Sequence, residues 1–139
     1  CHATWHGPYA YPDDLAAIYG TLDLVWAQDL WQRGTNSDWL LPNRLYEAGY
    51  FGCPAIAVSG TATADWIERH GTGWTIAHPT KTALVKLLEG LTHTEIEARK
   101  RHILSLPANL FAAVPGDALR QIAPVTEPED THDPATAPA

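Results

Sequence analysis

The sequence predicts an α/β domain, a parallel sheet with helices packed on its faces. Three observations lead there. Helical and strand-like segments alternate several times, their connections are short, and the strand candidates are near-continuous apolar runs of the kind covered on both sides. With 139 residues, the chain has the length of one domain with a single core.

The elements follow in order. Asp13 to Leu22 reads as a helix that Asp13 or Asp14 can cap, with Leu15, Ile18, Tyr19 and Leu22 at helical spacing. Leu24 to Ala27 is a short buried strand, followed by a polar loop from Gln32 to Asp38. Pro42 to Tyr50 is a second helix, because Pro suits a first helical turn and Gly52 can supply a left-handed cap. Ala55 to Val58 is a second strand, Thr63 to His70 a third helix stopped by Gly71, and Gly73 to Ala77 a third strand. Thr80 to Leu91 carries Leu84, Leu87, Leu88 and Leu91 on one helical face, and Glu95 to Leu106 forms a fifth helix. The opening residues from Cys1 to Gly7 read as the end of a strand. A chain without Met that starts at Cys1 reads as a fragment rather than as a lipid-bearing processed protein.

The ends and the charge bound the function. Residues 1–123 form the expected domain. From Pro124 to Ala139, four prolines and the acids Glu127, Glu129, Asp130 and Asp133 stand with almost no apolar content, which predicts a disordered tail. The formal charge of −7 gives no basic footprint for nucleic acid. No run reaches the roughly 18 apolar residues of a membrane span. Two cysteines make no disulfide framework. His2 and His6 sit at a frayed terminus and the other histidines do not cluster, so no metal site is expected. Gly71-Thr72-Gly73 lacks the third glycine of a dinucleotide fingerprint, since Ile76 stands there, and reads as a helix cap opening a strand. Cys53 reads as a small buried hydrophobe, and the Arg99-Lys100-Arg101 run as a solvated face with a weak attraction for an anionic membrane.

In open α/β sheets, ligands bind outside the carboxyl ends of the strands, so the loop running into the Pro42 helix is informative. On that helix Leu45, Ala48, Gly49 and Gly52 share one face and Asn43, Glu47 and Tyr50 another. The amides of a helix start suit a diphosphate, to which Arg44 could add a contact. A carboxylate one turn in, Glu47, could accept hydrogen bonds from a ribose diol. Spacing alone favours the plainer reading, in which Glu47 pairs with Arg44 on the surface. Tyr46 and Tyr50 are expected to serve packing.

This segment resembles the C-terminal donor-binding domain of GT-B glycosyltransferases, in particular the group 1 enzymes of bacterial exopolysaccharide synthesis, of the succinoglycan-pathway type. Pro42-Asn43-Arg44-Leu45-Tyr46-Glu47, followed by Gly52-Cys53-Pro54-Ala55-Ile56-Ala57, looks like the family's Pro-x-Lys/Arg-x-x-Glu helix with its Gly-x-Pro and aliphatic strand. The flanks Asp14 to Tyr19, Leu22 to Trp26 and Asn36 to Pro42 look similar too, so that the likeness covers roughly Pro8 to Leu91. The resemblance implies a Rossmann-like parallel sheet with helices on both faces, the C-terminal half of a GT-B fold. It implies that Glu47 holds the ribose of a nucleotide sugar and that the amides of Asn43 and Arg44 meet its diphosphate. The sequence departs from the family pattern at Trp39, where an acid near the sugar is common and where Asp38 stands adjacent. It departs again at Pro42, which often is Gly and which donates no hydrogen bond. Trp39 and Trp31 become candidates to line a sugar pocket, and Gly7, Pro8 and Tyr9 to line a base pocket.

The expected function is donor binding in a nucleotide-sugar-dependent glycosyltransferase that moves a sugar to a polysaccharide or lipid-linked acceptor. The expected partners are the nucleotide-sugar donor, the glycan or lipid-linked acceptor and an N-terminal acceptor domain, without which the isolated chain would bind nucleotide weakly and transfer nothing. The resemblance assigns no catalytic residue here. It implies no cofactor beyond the donor substrate and a cytoplasmic protein near the inner face of the membrane. Two rivals stand beside it: a sugar-nucleotide epimerase of the same fold, and a non-catalytic α/β interaction module.

Overall fold

The computed structural model describes residues 3–112. The predicted boundary at 123 and the acidic tail lie outside the described residues. The chain runs through α1 (Leu15–Gly20), β1 (Val25–Trp26), α2 (Asn36–Trp39), α3 (Asn43–Tyr50), β2 (Ala55–Val58), α4 (Ala62–His70), β3 (Gly73–Ile76), α5 (Lys81–Gly90) and α6 (His93–Ser105), and closes on a 3-10 turn at Ala108–Leu110. The three strands form a parallel sheet in the order β1-β2-β3. This is the predicted α/β class, and it is consistent with a Rossmann-like fold.

β2 is the centre. All four of its residues, Ala55-Ile56-Ala57-Val58, are buried. Its small side chains let helices approach: Ala55 and Ala57 join Ala27 of the chain leaving β1, Leu45 of α3, and Ala64 and Ile67 of α4 in one apolar cluster. Burial of Leu45 and Ile67, each about 1% exposed, contributes about 1.5–3 kcal/mol apiece. A second cluster of Leu15, Tyr19, Ala48 and Cys53 joins α1 to α3. At the start of β3, Gly73 lies so close to the ladder that a Cβ there would fall 1.8 Å from the Ala55 carbonyl oxygen.

Capping explains the helix limits. The Thr61, Thr80 and Thr92 hydroxyls accept from the amides three residues on and start α4, α5 and α6. At α6, Glu95 answers with bonds to the Thr92 amide and hydroxyl, a reciprocal box that starts the helix two residues before the predicted Glu95. Gly71 stops α4 in the left-handed conformation, as the sequence suggested.

Other expectations need correcting. The opening segment forms no strand among the described residues. The predicted loop from Gln32 to Asp38 holds part of α2, whose one turn buries Ser37 only. Asp14 spends its carboxylate on the Ala10 amide at 2.7 Å instead of capping α1. The leucine face of α5 is only half covered: no residue of that helix is fully buried, and Leu88 is exposed.

α6 fastens the sheet at its N-terminal edge. Lys100 pairs with Asp23, just before β1. Leu104 lies against Gly52, just before β2. Arg99 donates to the Gly71 carbonyl at 2.8 Å, just before β3, and stacks over Trp74. Burial would lower the Lys100 pKa, but its hydrogen bonds to Asp23 and Glu97 raise it above the ordinary lysine value. Two members of the basic run therefore serve internal contacts.

Candidate functional site

Because β1 and β2 are parallel and α3 connects them, α3 runs back against the strands. Its N-terminus therefore stands at the C-terminal edge of the sheet, where such folds place ligands. Pro42 enters in extended conformation and offers no side-chain cap. The Leu45 amide is spent on the Pro42 carbonyl at 2.9 Å. Among the described residues, the amides of Asn43 and Arg44 have no partner.

A cleft of about 490 Å³ opens over this start, lined by Tyr9, Tyr11, Pro42, Asn43, Arg44 and Glu47. A neighbouring cavity of about 660 Å³ shares Tyr11, Asn43 and Glu47 and continues past Leu15, Tyr46 and Tyr50 to Phe111. Asn43, Arg44, Pro42, Glu47 and Tyr9 are thus brought together. The aromatic walls come from both sides. Tyr9, Tyr11 and Tyr50 are exposed, while Tyr46 packs edge-on against Trp66 at 5.7 Å. Tyr46 and Tyr50, expected to serve packing, therefore also line the cavity.

Glu47 does not pair with Arg44; among the described residues the ion pairs within 4.0 Å belong to Lys100. Its partner is Tyr19 of α1, whose hydroxyl donates to Glu47 Oε2 at 2.9 Å. Burial first, and the bond to Glu47 second, push the Tyr19 phenol above its ordinary value, so it stays a proton donor. A carboxylate with about four acceptor positions has one filled by Tyr19.

The remaining predicted residues lie elsewhere. Trp39 and Trp31 are 81% and 90% exposed and line neither cavity. Asp38 turns inward on its own loop: Oδ2 accepts from the Gly34 amide at 2.8 Å, while Oδ1 is buried and unpaired. Gly7 and Pro8 line a separate groove, with Trp5, Tyr9 and the outer side of α1. Trp26, Trp66 and Trp74 are half-buried.

The sequence reading missed Tyr19, which it placed among apolar contacts, and Gln28. Gln28 is 2% exposed at the end of β1. Its Oε1 accepts from the Val58 amide and the Thr61 hydroxyl, and its Nε2 donates to the Asp29 and Ser37 carbonyls. One amide side chain thereby ties the ends of β1 and β2 to α4 and to the loop that delivers α3. Nothing in the local sequence marks it, since three of its four partners stand 9 to 33 residues away. Among the described residues, no group of three or more His, Cys, Asp or Glu side chains could hold a metal ion.

The chain is similar to the succinoglycan biosynthesis protein ExoL of Rhizobium meliloti (strain 1021). The two are 41% identical over 88 residues, 63% of this chain and 22% of ExoL. The chain thus spans about a fifth of the length of that relative. No protein-family model matches the chain, and no solved structure does. Among the described residues no helix is long and apolar enough to cross a membrane.

Proposed function

We propose that this chain is the donor-binding part of a transferase in exopolysaccharide biosynthesis, holding a nucleoside-diphospho-sugar while its sugar passes to a glycan or lipid-linked acceptor. The observation that carries the reading is the convergence of Glu47, Arg44 and two unspent amides on one cleft at the start of α3. Similarity to a succinoglycan biosynthesis protein supports the pathway. The GT-B likeness of the Pro42–Glu47 and Gly52–Ala57 segments supports the donor class.

In this reading the Asn43 and Arg44 amides and the Arg44 guanidinium receive the diphosphate. They also stabilise the charge that grows on it as the bond to the sugar breaks. Glu47 accepts from the ribose hydroxyls, and the tyrosines wall the cleft. The acceptor and the proton-transfer groups come from a further domain, so the chain alone binds nucleotide without turnover.

Calorimetric titration of the chain with UDP and GDP tests this. Binding of one of them is expected, and Glu47→Ala should weaken it about 10- to 100-fold, the worth of hydrogen bonds to a charged acceptor. Unchanged affinity would refute the role of Glu47. An absence of any nucleotide binding would favour an interaction module.

A further inference from the structure

We propose that Tyr19 is a positioning residue for Glu47, setting the carboxylate so that its free acceptor positions meet a ribose diol; this rests on the nucleotide-binding reading above. The two residues are 28 positions apart, on α1 and α3, and meet through one hydrogen bond of 2.9 Å. Each end of that bond is differently held. Tyr19 is 7% exposed, sits in the α1–α3 cluster beside Leu15, Ala48 and Cys53, and stacks on Phe51 with ring centroids 5.9 Å apart. Glu47 is half-buried and borders both cavities. The buried ring is the fixed partner and the carboxylate the guided one.

Without that bond a glutamate has three free torsions and a cation, Arg44, one turn away on its own helix. A collapse onto Arg44 would occupy the acceptor positions and the guanidinium together. The Tyr19 hydroxyl holds Oε2 from the α1 side, leaving Oε1 and the guanidinium available at once. The phenol keeps its proton across the neutral range, since burial and Glu47 both disfavour its anion.

The test compares the chain with Tyr19→Phe and Glu47→Gln, each titrated with UDP, dUDP, GDP and dGDP. Tyr19→Phe removes the hydroxyl and retains the ring stacked on Phe51. The parent chain is expected to prefer ribose over deoxyribose about tenfold, one charge-assisted hydrogen bond, and Glu47→Gln should erase most of that preference. Tyr19→Phe should cut the preference to about threefold, with the deoxy nucleotide, which keeps only the 3′ hydroxyl, losing less affinity than the ribonucleotide. A general loss of packing would instead weaken both nucleotides equally, and that result would overturn the positioning role while leaving Glu47 in place. Full preference retained by Tyr19→Phe would overturn it as well. If the parent chain binds no nucleotide, the nucleotide reading itself falls, and if Glu47→Gln retains the ribose preference, the ribose role of Glu47 falls; either outcome takes this inference with it.

Discussion

Gly49 provides a test in which a usually stabilising substitution should change sign. In a helix interior, Gly→Ala gains about 1 kcal/mol from lower backbone entropy. At Gly49 a Cβ would lie 2.2 and 2.3 Å from Phe111 Cε1 and Cδ1. Those distances are far inside van der Waals contact, so the ring must move. Phe111 is 8% exposed and meets Trp66 edge-on at 5.8 Å. Displacing it gives up part of the about 1.5–3 kcal/mol of a buried aromatic and of the about 0.5–1.5 kcal/mol of an aromatic pair. The helix gain offsets some of this. Gly49→Ala should therefore destabilise the chain by about 1–2 kcal/mol, a fall in Tm of about 3–5 °C per kcal/mol at this domain size. In a Phe111→Ala background the clash is gone, and the same change should stabilise by about 0.5–1 kcal/mol. Urea unfolding of the four chains in a double-mutant cycle measures the coupling. A higher midpoint for Gly49→Ala in the parent, or equal effects in the two backgrounds, would refute the steric argument.

Two further predictions concern titrating groups. Burial pushes the Cys53 thiol up to about 11, so in a Cys1→Ser background iodoacetamide at pH 8 should label Cys53 only after denaturant is added; rapid labelling of the native chain would contradict its burial. The bonds from Thr92 hold the Glu95 carboxyl below its ordinary value. Because the folded pKa is depressed, the box stabilises above the unfolded pKa and loses its effect as pH falls through the folded value. Urea midpoints between pH 7 and pH 2 should therefore fall more steeply for the parent than for Thr92→Ala, and parallel curves would count against the box.

Much of this fold was legible because the informative patterns are local. The Ala55–Val58 run, the Gly71 stop and the Pro42 start are each decided within a few residues, and the structure places all three close to expectation. The one-turn α2 was not legible, since four residues carry no helical period. For the site, the spacing on α3 put Asn43, Glu47 and Tyr50 on one face, and all three border one cavity. It failed on partners. Arg44 at i+3 looked like the natural mate of Glu47, whereas the bond goes to a tyrosine on another helix. Gln28 failed for the same reason: hydrogen bonds across a core leave no periodic trace. Trp39 and Asp38 were drawn in by the resemblance, at the place where the family often carries an acid near the sugar, but α2 turns Trp39 to solvent and Asp38 toward Gly34.

The clasp of α6 across Asp23, Gly52 and Gly71 has an architectural consequence. Strand register is secured at one pole of the sheet and the cleft is carved at the other. The segment around Tyr9 and Tyr11 and the start of α3 at Arg44 can diverge in shape and charge without loosening the anchorage. A lineage could reshape that cleft while inheriting its moorings intact.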